Sequence, residues 1–275
     1  MSELGAAEAA ERLLELDERG ESGFLWVAAG ADAGGRRLLG WIGPDGAVAT
    51  LGTLGSEGAD QAATDLGRLA LASDPEAAAG LHELPEVQAY LEIHHPGAEL
   101  VIVGAGHVAQ PLAEVGALLG MVVTVLDDRP EFATRERFPG AARVLKVDFM
   151  DPFADVRIHA ATHLVLVTRG HRYDFEALRR LLTLEQRPAY VSMIGSRRRV
   201  RATFTQLLEL GADPDRLARV RAPIGLDVGA QTPAEIAVAV AAEIVLLRRG
   251  GSGVPLRDVE HVLERFFPDR ADAER

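Results

Sequence analysis

The most constraining feature of the sequence is an apolar stretch, residues 100–103, that leads directly into a glycine-containing turn. Gly104, Gly106 and Ala109 form the GxGxxA pattern of dinucleotide-binding folds. In that pattern the first glycine makes a tight turn, the second lets the backbone approach a phosphate, and the small third residue lets helix pack on strand. The pattern therefore predicts a buried strand, a turn and a helix, with the turn facing a ligand.

A second apolar stretch, residues 121–126, ends in an acid. Asp127 follows Gly104 at close to the spacing of about 20 residues expected of a carboxylate that accepts from a ribose hydroxyl. Asp127 and Asp128 also precede Arg129-Pro130, so the alternative is an ordinary turn at the end of a strand. Both interpretations of Asp127 stay open from the sequence, and Asp128 is interpreted as a solvated turn residue.

Length, charge and cysteine usage restrict the classes of function. The chain has 275 residues, enough for one large domain or two small ones. Its net charge of −12 argues against nucleic acid and anionic membranes as partners. The chain has no cysteine, which excludes disulfides, thiolate metal sites and thiol nucleophiles. No signal peptide or membrane span is predicted, so we expect a cytoplasmic protein.

The first part of the chain, residues 1–96, is predicted to be a small α+β domain. Its apolar residues recur at helical spacing in two segments and alternate in several short ones, and Pro96-Gly97 marks a break. The predicted helices cover 3–19 and 59–71, and the predicted strands cover 24–29, 38–42, 47–51 and 87–93.

Residues 97–249 show strand–helix alternation, which is typical of a parallel sheet. We predict an α/β fold in which a Rossmann-like, doubly wound parallel sheet follows the small N-terminal domain. Six strands would lie in the order 3-2-1-4-5-6, with the switch point between the first and the fourth. Residues 250–275 are predicted to form a glycine-rich joint and a short amphipathic helix. The predicted strands are 99–103, 122–126, 142–147, 163–167, 189–194 and 217–221, and the predicted helices are 107–119, 174–184, 197–209 and 233–248.

Four loops are expected at the carboxyl ends of these strands, where open α/β sheets bind their ligands. Each combines glycine, which permits close backbone approach, with polar groups that could hold a ligand. The residues expected at the site are Gly104, Gly106 and His107 in the first loop, with Asp127 beside them, Thr168, Arg169 and His171 in the second, Gly195, Ser196 and Arg197 in the third, and Asp227 in the fourth.

The third loop carries three consecutive arginines, Arg197–Arg199, directly after Ser196. Ser196 is expected to cap a helix, which would place these cations at its positive end at a cost of about 0.3–1 kcal/mol each. An anion bound there would compensate, because free amides and guanidinium groups both bind phosphate oxygens. The alternative is a solvated arginine run that is salt-bridged to a neighbour.

Two histidines are expected to face each other across the switch point. His107 and His171 could contact a ligand, and the alternative for each is a hydrogen-bonded structural role. Asp227 could close the pocket or cap a turn, and the residues do not decide between these roles. His94-His95 is interpreted as a linker feature, so no resident metal site and no catalytic residue is predicted.

At these loops the sequence resembles the XdhC/CoxI family, accessory factors of bacterial xanthine dehydrogenase-type molybdoenzymes. The resemblance implies a Rossmann-like domain that binds molybdenum cofactor (Mo-molybdopterin) and delivers it to the target enzyme, as well as homodimer formation; some members work with a cysteine desulfurase. The matching blocks are VGAGHVA (103–109), LDDRPEFA (126–133), ERFP (136–139), TRGHRYD (168–174), MIGSRRR (193–199) and APIGLDVGAQTPAEIAVAVAAEI (222–244).

Two positions depart from the family pattern. Gly58 stands where the family typically has a cysteine in its first domain, so a cysteine-dependent step there is in doubt. Arg169 stands where the family usually has a histidine, which adds a group that could bind an anion.

Three functions follow from these observations. The leading hypothesis is a cofactor-handling chaperone in which Arg169, Ser196 and Arg197 hold the phosphate of a pterin and His107 and His171 contact its pterin or metal end. The second is an NAD(P)-dependent oxidoreductase, which the GxGxxA pattern supports but which lacks a Tyr-x-x-x-Lys pair. The third is an adaptor that no longer binds a ligand.

Overall fold

The computed structural model describes residues 3–30, 34–43, 46–71, 78–184, 186–260 and 265–266. Within them the chain forms two five-stranded sheets, one antiparallel and one parallel. The antiparallel sheet ends at His94 and the parallel sheet begins at Glu99. No helix in the described part of the chain is long and apolar enough to cross a membrane.

The N-terminal unit is an antiparallel sheet in the order β3-β2-β1-β5-β4 with two helices. Helix α2 buries a stripe of small residues against the sheet, including Ala59, Ala63 and Ala70, so backbone and sheet come close together. The elements are α1 (Ala6–Arg19), β1 (Gly23–Ala28), β2 (Arg37–Ile42), β3 (Val48–Gly52), α2 (Glu57–Leu71), β4 (Gly80–Leu84) and β5 (Val87–His94).

Strand β4 was not predicted from the sequence. It pairs antiparallel with β5 across a tight turn in which Glu86 has a φ of 64°. The strand contains the polar residues His82 and Glu83, so the apolar alternation is weak. His82 nevertheless packs its ring edge-on against the buried Trp26, with ring centroids 5.3 Å apart. Tertiary packing therefore supplies the burial that the local pattern does not show.

The C-terminal unit is a parallel sheet in the order β10-β9-β6-β7-β8, so the predicted Rossmann-type sheet is confirmed. The predicted switch point between the first and fourth strands is also confirmed, because β6 lies between β7 and β9. The strands are β6 (Glu99–Val103), β7 (Val122–Asp127), β8 (Arg143–Lys146), β9 (Thr162–Leu166) and β10 (Tyr190–Met193), and the helices are α3 (Ala109–Leu118), α4 (His171–Thr183), α5 (Arg197–Glu209), α6 (Pro214–Leu217), α7 (Pro233–Arg249) and α8 (Leu256–Glu260).

The prediction of a sixth strand over 217–221 was wrong. Leu217 ends the short helix α6, which begins at Pro214. Only Arg221 pairs with β10, through a parallel bridge to Ser192, and Pro223 follows without an N–H to donate. The position of the sixth strand is therefore filled by one residue, and β10 is close to being an edge strand.

The helices cover both faces of the parallel sheet, which makes it doubly wound. On one face of the sheet, strand residues pack with residues of α3 and α7, such as Leu112 and Val240. On the other face, strand residues pack with residues of α4 and α5, such as Leu178 and Leu207. Strand β6 is apolar on both faces for this reason.

The N-terminal core offers a test of how closely α2 packs. The fully buried Phe24 ring lies against Gly67 of α2 and Gly40 of β2, where an added Cβ would lie 2.5 Å and 2.1 Å from ring atoms. We predict that Gly67→Ala destabilises the protein by about 1–3 kcal/mol through overpacking, which exceeds the gain of up to about 1 kcal/mol in helix propensity. Urea unfolding measures this change.

Gly58→Ala, in the first turn of the same helix, is the matched control. A Cβ there would meet only Pro85 at 3.9 Å, an ordinary contact. This variant is expected to be as stable as the wild type or slightly more so. A Gly67→Ala variant as stable as Gly58→Ala would contradict the packing described for Phe24.

Candidate functional site

The switch point lies at the carboxyl end of β6. Val103 pairs with Leu126 of β7 on one side and with Leu166 of β9 on the other, so the three strands end at the same level. The following helices α3 and α4 pack on opposite faces of the sheet. In open α/β sheets, loops that diverge in this way leave a crevice above the central strand, which is the usual ligand position.

The glycine turn has the local structure that its sequence predicts. Gly104 has a φ of 108°, and a Cβ there would lie 2.7 Å from the carbonyl oxygen of Val167. Gly106 is different, because a Cβ there would meet no atom within 4 Å. Gly104 is thus needed for the conformation of the turn and for its close contact with the residue after β9. Gly106 instead leaves open space beside the backbone. The amides of Gly106 and His107 donate to no acceptor among the described residues.

Asp127 lies beneath this turn and is almost completely buried. Its Oδ2 accepts from the amide of Ala105 at 2.7 Å and from Nη2 of Arg129 at 2.9 Å. Its Oδ1 accepts from the amide of Arg129 at 3.0 Å and from Nε of the same residue at 2.9 Å. A carboxylate has about four lone-pair sites, and protein donors use all of them here. Asp127 thus joins β7 to the glycine turn.

The ionisation of Asp127 follows from these contacts. Burial alone would raise the pKa of Asp127, since it disfavours the charged form. The hydrogen bonds from the Arg129 side chain and from the amides of Ala105 and Arg129 outweigh burial and lower the pKa to about 2. Asp127 is therefore a buried anion that is fully compensated within the protein.

Arg169 spans the crevice. Its guanidinium forms two parallel hydrogen bonds to the carboxylate of Asp128, at 2.5 Å and 2.8 Å, and stacks on the ring of Tyr173. The carboxylate of Asp128 holds the pKa of Arg169 above its usual range. Because Arg169 follows β9 and Asp128 follows β7, this ion pair bridges the two loops on either side of β6. Asp128 is thus the partner of Arg169, not the solvated turn residue that was expected.

A second network ties the Thr168 loop to α5. Asp174 is fully buried and accepts from Thr168 Oγ1 at 2.6 Å and from Arg199 Nε at 2.6 Å. Burial raises the pKa of Asp174, and the contacts with Thr168 and Arg199 only partly offset this effect. Arg199 also donates to the carbonyl oxygen of Thr168 at 3.1 Å. One of the three consecutive arginines is therefore salt-bridged to a neighbour, as the alternative interpretation held.

The other two arginines of the run have no side-chain partner in the described part of the chain. Helix α5 begins at Arg197 as predicted, and Ser196 caps it by accepting from the amide of Arg199 at 3.3 Å. Arg197 and Arg198 are exposed, and within the described residues their side chains have no ion pair or hydrogen bond. Two cations and the unpaired amides of the first turn thus remain available to an anion. Gly195, just before the cap, is partly exposed.

The two histidines lie in different local settings. His107 is exposed in the turn before α3. His171 is the first residue of α4, which begins three residues earlier than predicted, and its Nε2 is buried without a hydrogen-bond partner in the described structure. In the fourth loop, Asp227 is exposed, and its side chain makes no hydrogen bond with the described residues.

The fourth loop is held by an acid that the sequence analysis did not single out. Glu243, buried in α7, accepts from Tyr190 Oη at 2.5 Å and from the amide of Gly225 at 3.1 Å. Burial, together with the hydrogen bond to Glu243, raises the pKa of Tyr190. The sequence did contain a signal for this role, namely a glutamate within the apolar sequence of α7. A buried acid needs hydrogen-bond partners, so such a residue is expected to hold a neighbouring segment.

Comparison with known proteins identifies the family. Residues 100–244, more than half of the chain, match the family model described as the XdhC Rossmann domain. The chain belongs to the XdhC family. This result confirms the family resemblance of the switch-point loops.

Two curated relatives and one solved structure are also similar. The chain is 34% identical over 164 residues to the uncharacterized protein YqeB of Escherichia coli K12, and covers 30% of it. It is 29% identical over 160 residues to a probable xanthine dehydrogenase subunit of Bacillus subtilis, and covers 46% of it. These stretches are 60% and 58% of this chain, so the chain spans less than half of either relative.

The solved structure shows the fold alone. A crystal structure described as a xanthine dehydrogenase from Bacillus halodurans aligns with a TM-score of 0.61 at 23% identity. The alignment covers 87% of this chain and 66% of that one. It therefore extends the likeness beyond the Rossmann-type part to most of the chain.

The buried Asp127 gives a prediction about pH. Because its pKa falls from 3.8 to about 2 on folding, its ionised form stabilises the folded protein by about 2 kcal/mol above pH 4. That contribution is lost as the pH falls through about 2. We expect Asp127→Asn to lower the free energy of unfolding by at least this amount at pH 7, and the difference from the wild type to shrink between pH 4 and pH 2. Urea unfolding at a series of pH values tests this.

The control is Asp155→Asn, which removes an exposed carboxylate with no side-chain hydrogen bond in the described structure. It is expected to change the unfolding free energy little. A difference between wild type and Asp127→Asn that stays constant down to pH 2 would contradict the role assigned to Asp127.

Proposed function

We propose that the chain is an accessory protein that binds molybdenum cofactor in the crevice at the switch point and delivers it to a xanthine dehydrogenase-type enzyme. Membership of the XdhC family supports this role, as does similarity to the Bacillus subtilis relative described as a probable xanthine dehydrogenase subunit. The observation that carries the cofactor assignment is a pair of arginines, Arg197 and Arg198, that have no partner among the described residues and lie on the first turn of α5, whose Arg199 contacts Thr168.

These residues fit the phosphate of a phosphorylated pterin. Phosphate is bound well by helix N-termini, where free amides and the helix dipole favour negative charge. Guanidinium groups add charge-assisted hydrogen bonds to the same oxygens. Gly106 leaves the space that a phosphate needs to reach the backbone, and its amide and that of His107 have no acceptor in the described structure.

Arg169 could bind either Asp128 or a phosphate, and the two pairings would close or open the crevice. In the structure its guanidinium is held by Asp128 above the end of β6. The pair is partly exposed, and a phosphate offers the Arg169 guanidinium the same two hydrogen bonds, so a phosphate can compete with Asp128. We infer that the incoming phosphate displaces Asp128 and takes two hydrogen bonds from Arg169.

The remaining switch-point groups suit the pterin end of the cargo. His107 is exposed beside Gly106, and the buried Nε2 of His171 has no hydrogen-bond partner among the described residues. Buried polar atoms are normally satisfied, and a bound ligand would supply the partner that this nitrogen lacks. Because the chain has no cysteine, sulfuration by a cysteine desulfurase would have to act on the bound cofactor without a thiol from this chain.

The oxidoreductase alternative receives no support from Asp127. That hypothesis needs the Asp127 carboxylate to accept from a ribose hydroxyl. All four lone-pair sites of the carboxylate are already used by Ala105 and Arg129. Ribose binding would have to break the contact that positions the glycine turn.

The proposal predicts that the arginines at the start of α5 retain the cofactor. Protein purified from a host that makes molybdenum cofactor should release molybdopterin, measured as its fluorescent oxidation product. Arg197→Ala/Arg198→Ala should reduce the molybdopterin per protein at least tenfold, because two charge-assisted contacts are lost. Asp128→Asn should raise it, because Arg169 is then free for phosphate.

Arg201→Ala is the matched control, since it removes an exposed arginine one turn further along the same helix. It is expected to retain the wild-type amount. Equal molybdopterin contents in the wild type, the double variant and Arg201→Ala would refute cofactor binding at this site. A content that falls with Asp128→Asn would refute the exchange of Asp128 for phosphate.

A further inference from the structure

A second cavity lies at the opposite end of the parallel sheet, between the two units. Its volume is about 900 Å³, and its lining includes residues just before β6, β9 and β10, among them Ala98, Ala161 and Ala189. The N-terminal unit contributes the end of α1 and the residues that follow it. Cavities between domains are common ligand sites, and the switch-point loops contribute nothing to this one.

Four arginines line this cavity: Arg19, Arg187, Arg248 and Arg249. None of them forms an ion pair or side-chain hydrogen bond with the residues that the structure describes. Among the lining residues in the described part of the chain, Glu21 is the sole acid. These four positive charges, without partners among the described residues, are concentrated in a chain whose net charge is −12.

Helix dipoles account for part of this charge. Arg19 lies in the last turn of α1, and Arg248 and Arg249 lie in the last turn of α7, where cations are favourable. Each helix end carries about half a negative elementary charge. Together with Glu21, the two ends therefore offset about two of the four positive charges, and about two remain.

A buried histidine adds a hydrogen-bond acceptor to these cations. His163 is 5% exposed, and its Nδ1 lies 3.2 Å from the carbonyl oxygen of Glu99 and 3.1 Å from that of Ala161. Carbonyl oxygens only accept, so Nδ1 must carry the proton. Burial, followed by the charge of Arg248, lowers the pKa of His163 and favours the neutral ring. In that tautomer Nε2 is an acceptor, and no donor bonds to it among the described residues.

We infer that this cavity binds a small oxyanion that carries its own hydrogen-bond donor, either hydrogen phosphate or a hydroxyl-bearing phosphate monoester. The arginines neutralise the anion, and Nε2 of His163 accepts the donor hydrogen. Sulfate has a similar size and charge but carries no hydrogen at neutral pH, so it would leave Nε2 unsatisfied. A site built to pair with a hydroxyl discriminates strongly against an analogue that lacks it.

The site is independent of the cofactor crevice and is built by both units. Arg19 comes from α1 of the N-terminal unit, whereas Arg187, Arg248 and His163 come from the Rossmann-type unit. A ligand that contacts both sides would therefore hold the two units together, and its binding should also stabilise the chain against unfolding.

Isothermal titration calorimetry on the full chain tests the inference. The titrations use inorganic phosphate, glycerol 3-phosphate and sulfate in a buffer free of other oxyanions. They are made in the Arg197→Ala/Arg198→Ala background, which removes the two arginines at the start of α5 from the proposed cofactor site. We expect phosphate or glycerol 3-phosphate to bind at least tenfold more tightly than sulfate, and the tighter of the two identifies the source of the donor.

Adding Arg248→Ala/Arg249→Ala should weaken binding of that ligand at least tenfold, whereas the exposed Arg257→Ala, outside the cavity, should leave it unchanged. His163→Phe should bring phosphate and sulfate to similar affinities. The inference would be overturned if the parent protein bound neither phosphate nor glycerol 3-phosphate more tightly than sulfate, if it bound neither of them saturably, or if Arg248→Ala/Arg249→Ala left binding unchanged. The arginine variant decides the matter even if His163→Phe does not fold.

Discussion

The carboxylate of Asp127 is the contact on which the geometry of the switch point depends. It accepts from the amide of Ala105 inside the glycine turn and from both the amide and the guanidinium of Arg129. The turn is thereby fixed to the end of β7, at the level where β6 and β9 also end. The amides of Gly106 and His107 follow this fixed amide directly and have no acceptor among the described residues.

The arginines around this contact are of two kinds: some pair with a carboxylate of the protein, and others have no partner among the described residues. Arg129 pairs with Asp127, Arg169 with Asp128 and Arg199 with Asp174. The first and third pairs join buried carboxylates and hold loops in place, whereas the Asp128 pair is partly exposed and can exchange. Arg197 and Arg198 lack a partner in the described structure and remain available to a ligand. The proposed phosphate site therefore consists of two free arginines and one exchangeable arginine, positioned by the two fixed ones.

The sequence predicted the local turns and helix starts and, through its strand–helix alternation, the arrangement of the strands around β6. The GxGxxA pattern specifies a turn whose constraints are all within a few residues, and Ser196 before three helix-forming residues specifies the start of α5. What could not be predicted depends on which loops meet in space. The order of the loops does not reveal that Arg169 reaches Asp128, 41 positions away, or that Arg199 faces Asp174. The wrong sixth strand has a similar cause, since Pro214 favours a helix start and only Arg221 reaches β10.

Hydrogen exchange is the most direct measurement of whether the crevice holds the cofactor. Protein from a host that makes molybdenum cofactor would be compared with protein from a cofactor-deficient host, by mass spectrometry of peptides that cover 104–108 and 196–199. The account predicts slower exchange of both segments in the loaded protein, because the amides of Gly106, His107, Arg197 and Arg198 acquire an acceptor, with no change at 160–164. Cofactor-loaded protein in which neither segment changes its exchange would contradict the account.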